Sequence, residues 1–186
     1  DTLVGMCTTV AAGLDVEYAI HLDHCKSLDH VYQAIHAGFT SVMYDGSALP
    51  FAENAANTAA VVKVAHALGV SVEAELGSLA SGTDSQESED NDQQVYTDPA
   101  EAAEFVALTG CDALAVSIGT VHGAYKGTPN IRLDILDGIR AAVDTPLVLH
   151  GGSGTPEDVI ADCIRGGITK INVNTEISMH AATRLQ

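Results

Sequence analysis

Residues 108–117 read LTGCDALAVS, and the way this stretch is punctuated decides the fold. The run before it has the composition of a helix. Gly110 supplies the left-handed residue that ends such a helix, and an apolar, strand-forming run begins shortly after. The same junction recurs at HAGFTSVMYD (36–45), HALGVSVEAE (66–75) and RGGITKINVN (165–174). Two further apolar runs, YAIHLD (18–23) and PLVLHG (146–151), are too short for helices and read as strands between turn residues.

Between the strands, helices announce themselves by their starts. In Thr97-Asp98-Pro99-Ala100-Glu101, Asp98 can cap, Pro99 suits the first helical position and Glu101 favours the first turn. Thr155-Pro156-Glu157-Asp158 is expected to repeat the device. Further helices are predicted over 28–37, 52–68 and 99–109, and residues 1–16 read as a helix with its connection.

Alternating helices and continuously apolar strands imply a parallel sheet covered on both faces. The chemistry-bearing clusters each follow a strand: HLDH (21–24), YDGS (44–47), EAELG (73–77), GTVHG (119–123), LHGGSG (149–154) and NVNT (172–175). A doubly wound sheet binds at one crevice, whereas a (β/α)8 barrel gathers all its strand-end loops around one site. The distribution therefore predicts an α/β protein with a (β/α)8 TIM barrel. Six strands are visible where a barrel needs eight, so residues 1–186 are expected to form a single partial barrel domain of about six βα units. Its N-terminal strands would precede Asp1, and its C-terminal region would also be missing.

Composition narrows the partners. A formal net charge of −17 over 186 residues leaves no basic footprint for nucleic acid or an anionic membrane. No apolar run reaches membrane-spanning length, and no signal sequence opens the chain, so a cytoplasmic location is expected. Cys7, Cys25, Cys111 and Cys163 are scattered, which predicts reduced and mostly buried thiols rather than a disulfide framework.

His24, His122 and His150 each end a different strand, and three imidazoles with an open fourth position make a catalytic zinc site. His21, His30, His36, His66 and His180 are read as structural or surface residues. Asp23, beside His24, is placed to exchange a proton with a substrate hydroxyl, provided the strand ends between the two. Asp45 and Glu75 are strand-end carboxylates suited to a second cation, to ligand hydrogen bonds or to orienting the histidines. The loops at Gly151-Gly152-Ser153-Gly154 and Asn172-Val173-Asn174-Thr175 offer backbone N–H groups and helix N-termini to a phosphate, with Lys126 as a further cation. The polar, acidic segment 81–94 is expected to be a long mobile loop, in which Glu87 could act as a lid-borne base.

Taken together, HLDHC, YDGS, VEAELG, TDPAEAAEFV, SIGTVHGAYKG, LVLHGGSG and KINVNTE resemble the class II (zinc-dependent) ketose-bisphosphate aldolases over nearly the whole chain. The resemblance implies reversible cleavage of fructose or tagatose 1,6-bisphosphate to dihydroxyacetone phosphate and glyceraldehyde 3-phosphate. It implies zinc on His24, His122 and His150, with Asp23 serving the C4 hydroxyl. Gly123, Gly151, Ser153, Asn172 and Thr175 match positions that hold the dihydroxyacetone phosphate moiety, and Asp45 and Glu75 match acidic residues that hold a second or alternative metal in some members. A homodimer or tetramer is implied as well. The family's lid commonly carries a Gly-Gly-x-Glu-Asp run, where this chain has Leu79 to Glu87; Glu87 is the candidate protonating residue. The competing readings are a metal-dependent sugar-phosphate epimerase on the same barrel and a non-catalytic barrel subunit supporting an aldolase.

Overall fold

Helices stop where the glycine junctions predict. The computed structural model describes residues 2–81, 95–123 and 130–185, and in it Gly38, Gly69, Gly110 and Gly167 all hold positive φ. At the last junction Gly166 remains helical at φ −74°, so Gly167 alone takes the left-handed position. The elements are α1 (Thr2–Ala11), β1 (His21–Cys25), α2 (Leu28–Ala37), β2 (Ser41–Tyr44), α3 (Phe51–Ala67), β3 (Ser71–Leu76), β4 (Ala80–Ser81), α4 (Pro99–Thr109), β5 (Ala113–Val116), β6 (Val121–His122), α5 (Leu133–Ala142), β7 (Leu147–Leu149), α6 (Glu157–Arg165), β8 (Ile168–Ile171) and α7 (Thr175–Arg184).

Six strands form one sheet in the order β1-β2-β3-β5-β7-β8, and β4 pairs with β6 in a separate two-stranded sheet. The registered pairs β1–β2, β2–β3, β5–β7 and β7–β8 are parallel. The order never turns back on itself. A doubly wound sheet reverses its strand order at a switch point, whereas continuous progression is the winding of a (β/α)8 barrel. The chain is thus an incomplete α/β TIM barrel of six sheet strands.

The chain divides into two units, Asp1–Ala74 with Leu108–Asp112, and Glu75–Ala107 with Ala113–Gln186. In the first, Val31 and Ile35 of α2, Val42 and Met43 of β2, Val61 and Ala65 of α3, and Val72 of β3 are buried. Asp112 fastens this unit: its Oδ2 accepts the Val72 N–H at 2.7 Å and lies 2.8 Å from His66 Nε2. In the second, the core holds Phe105, Leu114, Ile118, Leu136, Ile139, Leu147, Leu149 and Cys163. Leu147, Val148 and Leu149 are all buried, as a strand covered on both faces requires.

Several local expectations are corrected. The first strand runs over His21–Cys25 rather than 18–23, because its registered pairing with β2 begins at His21↔Ser41. Helix α3 lies one residue earlier than 52–68, with Pro50 at its N-cap. His122 belongs to β6, a two-residue strand of its own, rather than to the end of a strand of the main sheet. Asp98 caps α4 as expected, accepting from the N–H groups of Ala100 and Glu101. The start of α6 does not repeat this, since Thr155 Oγ1 donates to the Gly151 carbonyl and no side chain caps the helix.

Candidate active site

Asp23 and His24 do not sit where the strand ends. Both lie within β1, and the register with β2 shifts between Leu22↔Val42 and Cys25↔Tyr44, so that two residues stand against Met43 alone. This is a β-bulge, and it re-aims the side chains that strict alternation would send to opposite faces. The bulge forces His24 to φ +44°, the one positive φ at a non-glycine among the described residues. Its N–H is turned onto Met43 Sδ at 3.3 Å.

The imidazole is then fixed by the residue that follows β2. His24 Nδ1 lies 3.0 Å from Asp45 Oδ2, while Asp45 Oδ1 accepts the Ser47 N–H and Oγ–H at 3.1 and 2.6 Å. Burial alone would raise the Asp45 carboxyl, but the hydrogen bonds of His24 and Ser47 outweigh it and hold the pKa well below the usual carboxylate range. An ionised carboxylate on Nδ1 is the arrangement that orients a metal-ligating histidine through its other ring nitrogen. Of the roles open to Asp45, the geometry favours orienting His24. Gly46 lets the chain pass close to the Asn54 side chain, which a Cβ there would meet.

The second unit holds the other two histidines. His150 directly follows β7 and is 1% exposed, and its ring centroid lies 6.0 Å from that of His122. Two imidazoles sharing one zinc at ordinary Zn–N lengths stand about 5 to 6 Å apart, so this pair fits a common ion. His150 Nδ1 is 3.9 Å from the buried Glu75 Oε2, and its Nε2 is 3.3 Å from Asn172 Nδ2. Lys170 Nζ donates to Asn172 Oδ1 at 2.8 Å, which fixes which way the amide faces. Neutral imidazoles beside buried carboxylates are donors suited to a divalent cation.

The two glycine-rich and asparagine-rich loops meet. The Gly152 N–H donates to the Asn172 carbonyl at 3.0 Å, and the Glu176 N–H of α7 reaches Ser153 Oγ at 3.4 Å. Ser153 therefore lies over the N-terminal turn of α7, which starts at Thr175. Gly151 sits at φ +70° with its missing Cβ only 2.2 Å from the Val121 carbonyl, so no other residue fits. Gly123 ends the described stretch at φ +88°. Val173 is exposed, and Asn174, at the N-cap of α7, accepts from Ser178 Oγ. Glu87 and Lys126 lie outside the described residues, as does most of the 81–94 loop.

Two residues read as structural or passed over belong with Asp23. His21 Nε2 is 3.7 Å from Asp23 Oδ1 and 3.7 Å from Glu73 Oε2. The signal was available: His21 is two positions from Asp23, and Glu73 two from Glu75, so the strand period puts each beside a residue already singled out. His30 and His36 on α2, His66 on α3 and His180 on α7 lie on helices.

The chain is similar to known proteins. The family described as "Fructose-bisphosphate aldolase class-II" matches residues 1–186. The YdjI aldolase of Escherichia coli K12 superposes with a TM-score of 0.84 at 37% identity, covering 98% of this chain and 62% of its own. A provisionally assigned fructose-1,6-bisphosphate aldolase from Coccidioides immitis gives 0.85 at 33% identity, covering 93% and 62%. The fructose-bisphosphate aldolase of Campylobacter jejuni gives 0.67 at 27%, covering 92% and 56%. The chain thus spans somewhat over half the length of these structures. With its parallel βα winding and its match over residues 1–186, the chain belongs to the class II fructose-bisphosphate aldolase family.

Proposed function

We propose that the full-length protein containing this chain reversibly cleaves a ketose 1,6-bisphosphate, fructose or tagatose, into dihydroxyacetone phosphate and glyceraldehyde 3-phosphate. It acts in the cytoplasm as a homo-oligomer. His24, His122 and His150 hold a zinc ion, which when bound supplies Lewis-acid polarisation of the ketose carbonyl. The observation that carries the reading is the His24–Asp45 hydrogen bond at 3.0 Å, made across a strand bulge that holds His24 in a strained backbone conformation. Such strain is retained where a side chain must point one particular way.

The chain's own residues divide the remaining work. Asp23, with 40% of its side chain exposed, takes the proton of the C4 hydroxyl as the C3–C4 bond breaks and returns it in the condensation direction. Glu87 delivers a proton to the carbon left on the ketose fragment. Backbone N–H groups of Gly123 and of the loop around Gly151, Gly152 and Ser153, with Asn172, Val173, Asn174 and Thr175 at the start of α7, hold a phosphate; Lys126 adds a positive charge. Glu75, beside His150, sets the field at that ligand. In a protein of net charge −17, attraction of a bisphosphate depends on such local donors. The test is His150→Ala in the full-length protein. Bound zinc and cleavage are expected to disappear together; zinc content equal to the parent's would refute the ligand assignment.

A further inference from the structure

We propose that His21 is a positioning residue that holds the Asp23 carboxylate in place against the buried carboxylate of Glu73. The proposal rests on the aldolase reading, in which Asp23 handles the C4 hydroxyl proton. Asp23 sits in the bulge of β1, where ladder pairing is disrupted and the side chain is turned out of the regular alternation. Its orientation therefore depends on what the side chain meets. His21 Nε2 is equidistant, at 3.7 Å, from Asp23 Oδ1 and Glu73 Oε2, and the three groups offer polar atoms within 4.8 Å of one another.

The His21 ring is itself anchored. Its Nδ1 lies 2.8 Å from Ser41 Oγ, its registered partner on β2. A serine hydroxyl donating to Nδ1 leaves the ring proton on Nε2, directed at the two carboxylates. Two carboxylates gathered about one point repel, and Glu73 has only 3% of its side chain exposed, so water screens it little. Protonated at Nε2, His21 presents one N–H to both carboxylates. At 3.7 Å each contact is longer than a hydrogen bond and acts electrostatically, at short range and, on the Glu73 side, largely away from water. Misplacing a reacting group by about 1 Å costs on the order of 10²-fold in rate, which gives such a contact its value.

Two substitutions of similar bulk separate the halves of the ring. His21→Asn keeps a nitrogen facing Ser41 and removes the one facing the carboxylates; His21→Gln places an amide nitrogen near Nε2 and gives up the Ser41 contact. In the full-length protein, H21N is expected to lower kcat about 10- to 100-fold with KM and zinc content unchanged. H21Q is expected to recover most of the loss. Equal losses in both variants, or a milder loss in H21N, would mean a merely structural role and overturn the proposal. So would loss of bound metal in H21N, which would make His21 a ligand. Crystal structures of both variants read Asp23 without any assay: a displaced Asp23 rotamer in H21N alone supports the proposal, and an unmoved Asp23 in H21N overturns it. If the unsubstituted protein cleaved no bisphosphate while Asp23 moved in H21N alone, the positioning role would stand and the aldolase reading would fall.

Discussion

Asp45 shows how one side chain determines what a neighbour can do. Its ionised carboxylate is fixed by Ser47 and in turn fixes His24, so replacing it by Asn removes the charge while preserving shape. Asp45→Asn is expected to weaken zinc binding about 10- to 100-fold, as loss of a carboxylate behind a ligating histidine does; titration with a competing chelator checks it. The thiols give a second prediction. Cys7 is exposed while Cys25, Cys111 and Cys163 are buried, so one fast-reacting thiol is expected under native conditions and four after unfolding. Burial pushes the Cys111 and Cys163 thiols above their ordinary value of 9.0. Their contribution to stability is complete below that value and is lost as pH rises through the higher folded pKa. Denaturation midpoints are thus expected to fall as pH rises above 9.0, and Cys111→Ser should flatten that fall.

Helices and strands were legible wherever the signal is local. A glycine that must take positive φ, an Asp-Pro start and a short apolar run each act within a few residues, so 28–37 and 99–109 match α2 and α4. What escaped depends on a partner strand. The bulge at Asp23-His24 exists only in the register with β2, and β4 and β6 are two residues each, too short to carry a periodic pattern. The histidines and carboxylates of the site could be picked out because each lies in or beside a short apolar run. His21 and Glu73 were legible only as strand-period neighbours of Asp23 and Glu75; that they meet one another depends on β1 and β3 being brought together. The Asp98 cap is testable by itself: Asp98→Ala removes the acceptor for two N–H groups at the start of α4 and is expected to cost about 1 kcal/mol. Urea denaturation would measure it.

The whole chain carries one winding and one chemical theme. Six strands advance in chain order, and the residues that suit metal, proton transfer and phosphate follow them one after another. No helix among the described residues is long and apolar enough to cross a membrane, and the net charge is strongly negative. The central claim is that this constellation performs metal-dependent aldol cleavage, and the decisive measurement is triose phosphate release from fructose and tagatose 1,6-bisphosphates by the full-length protein, with and without a chelator. Release from at least one sugar, abolished by the chelator and restored by added zinc, is the predicted result. A folded, zinc-loaded protein that leaves both sugars intact would contradict it.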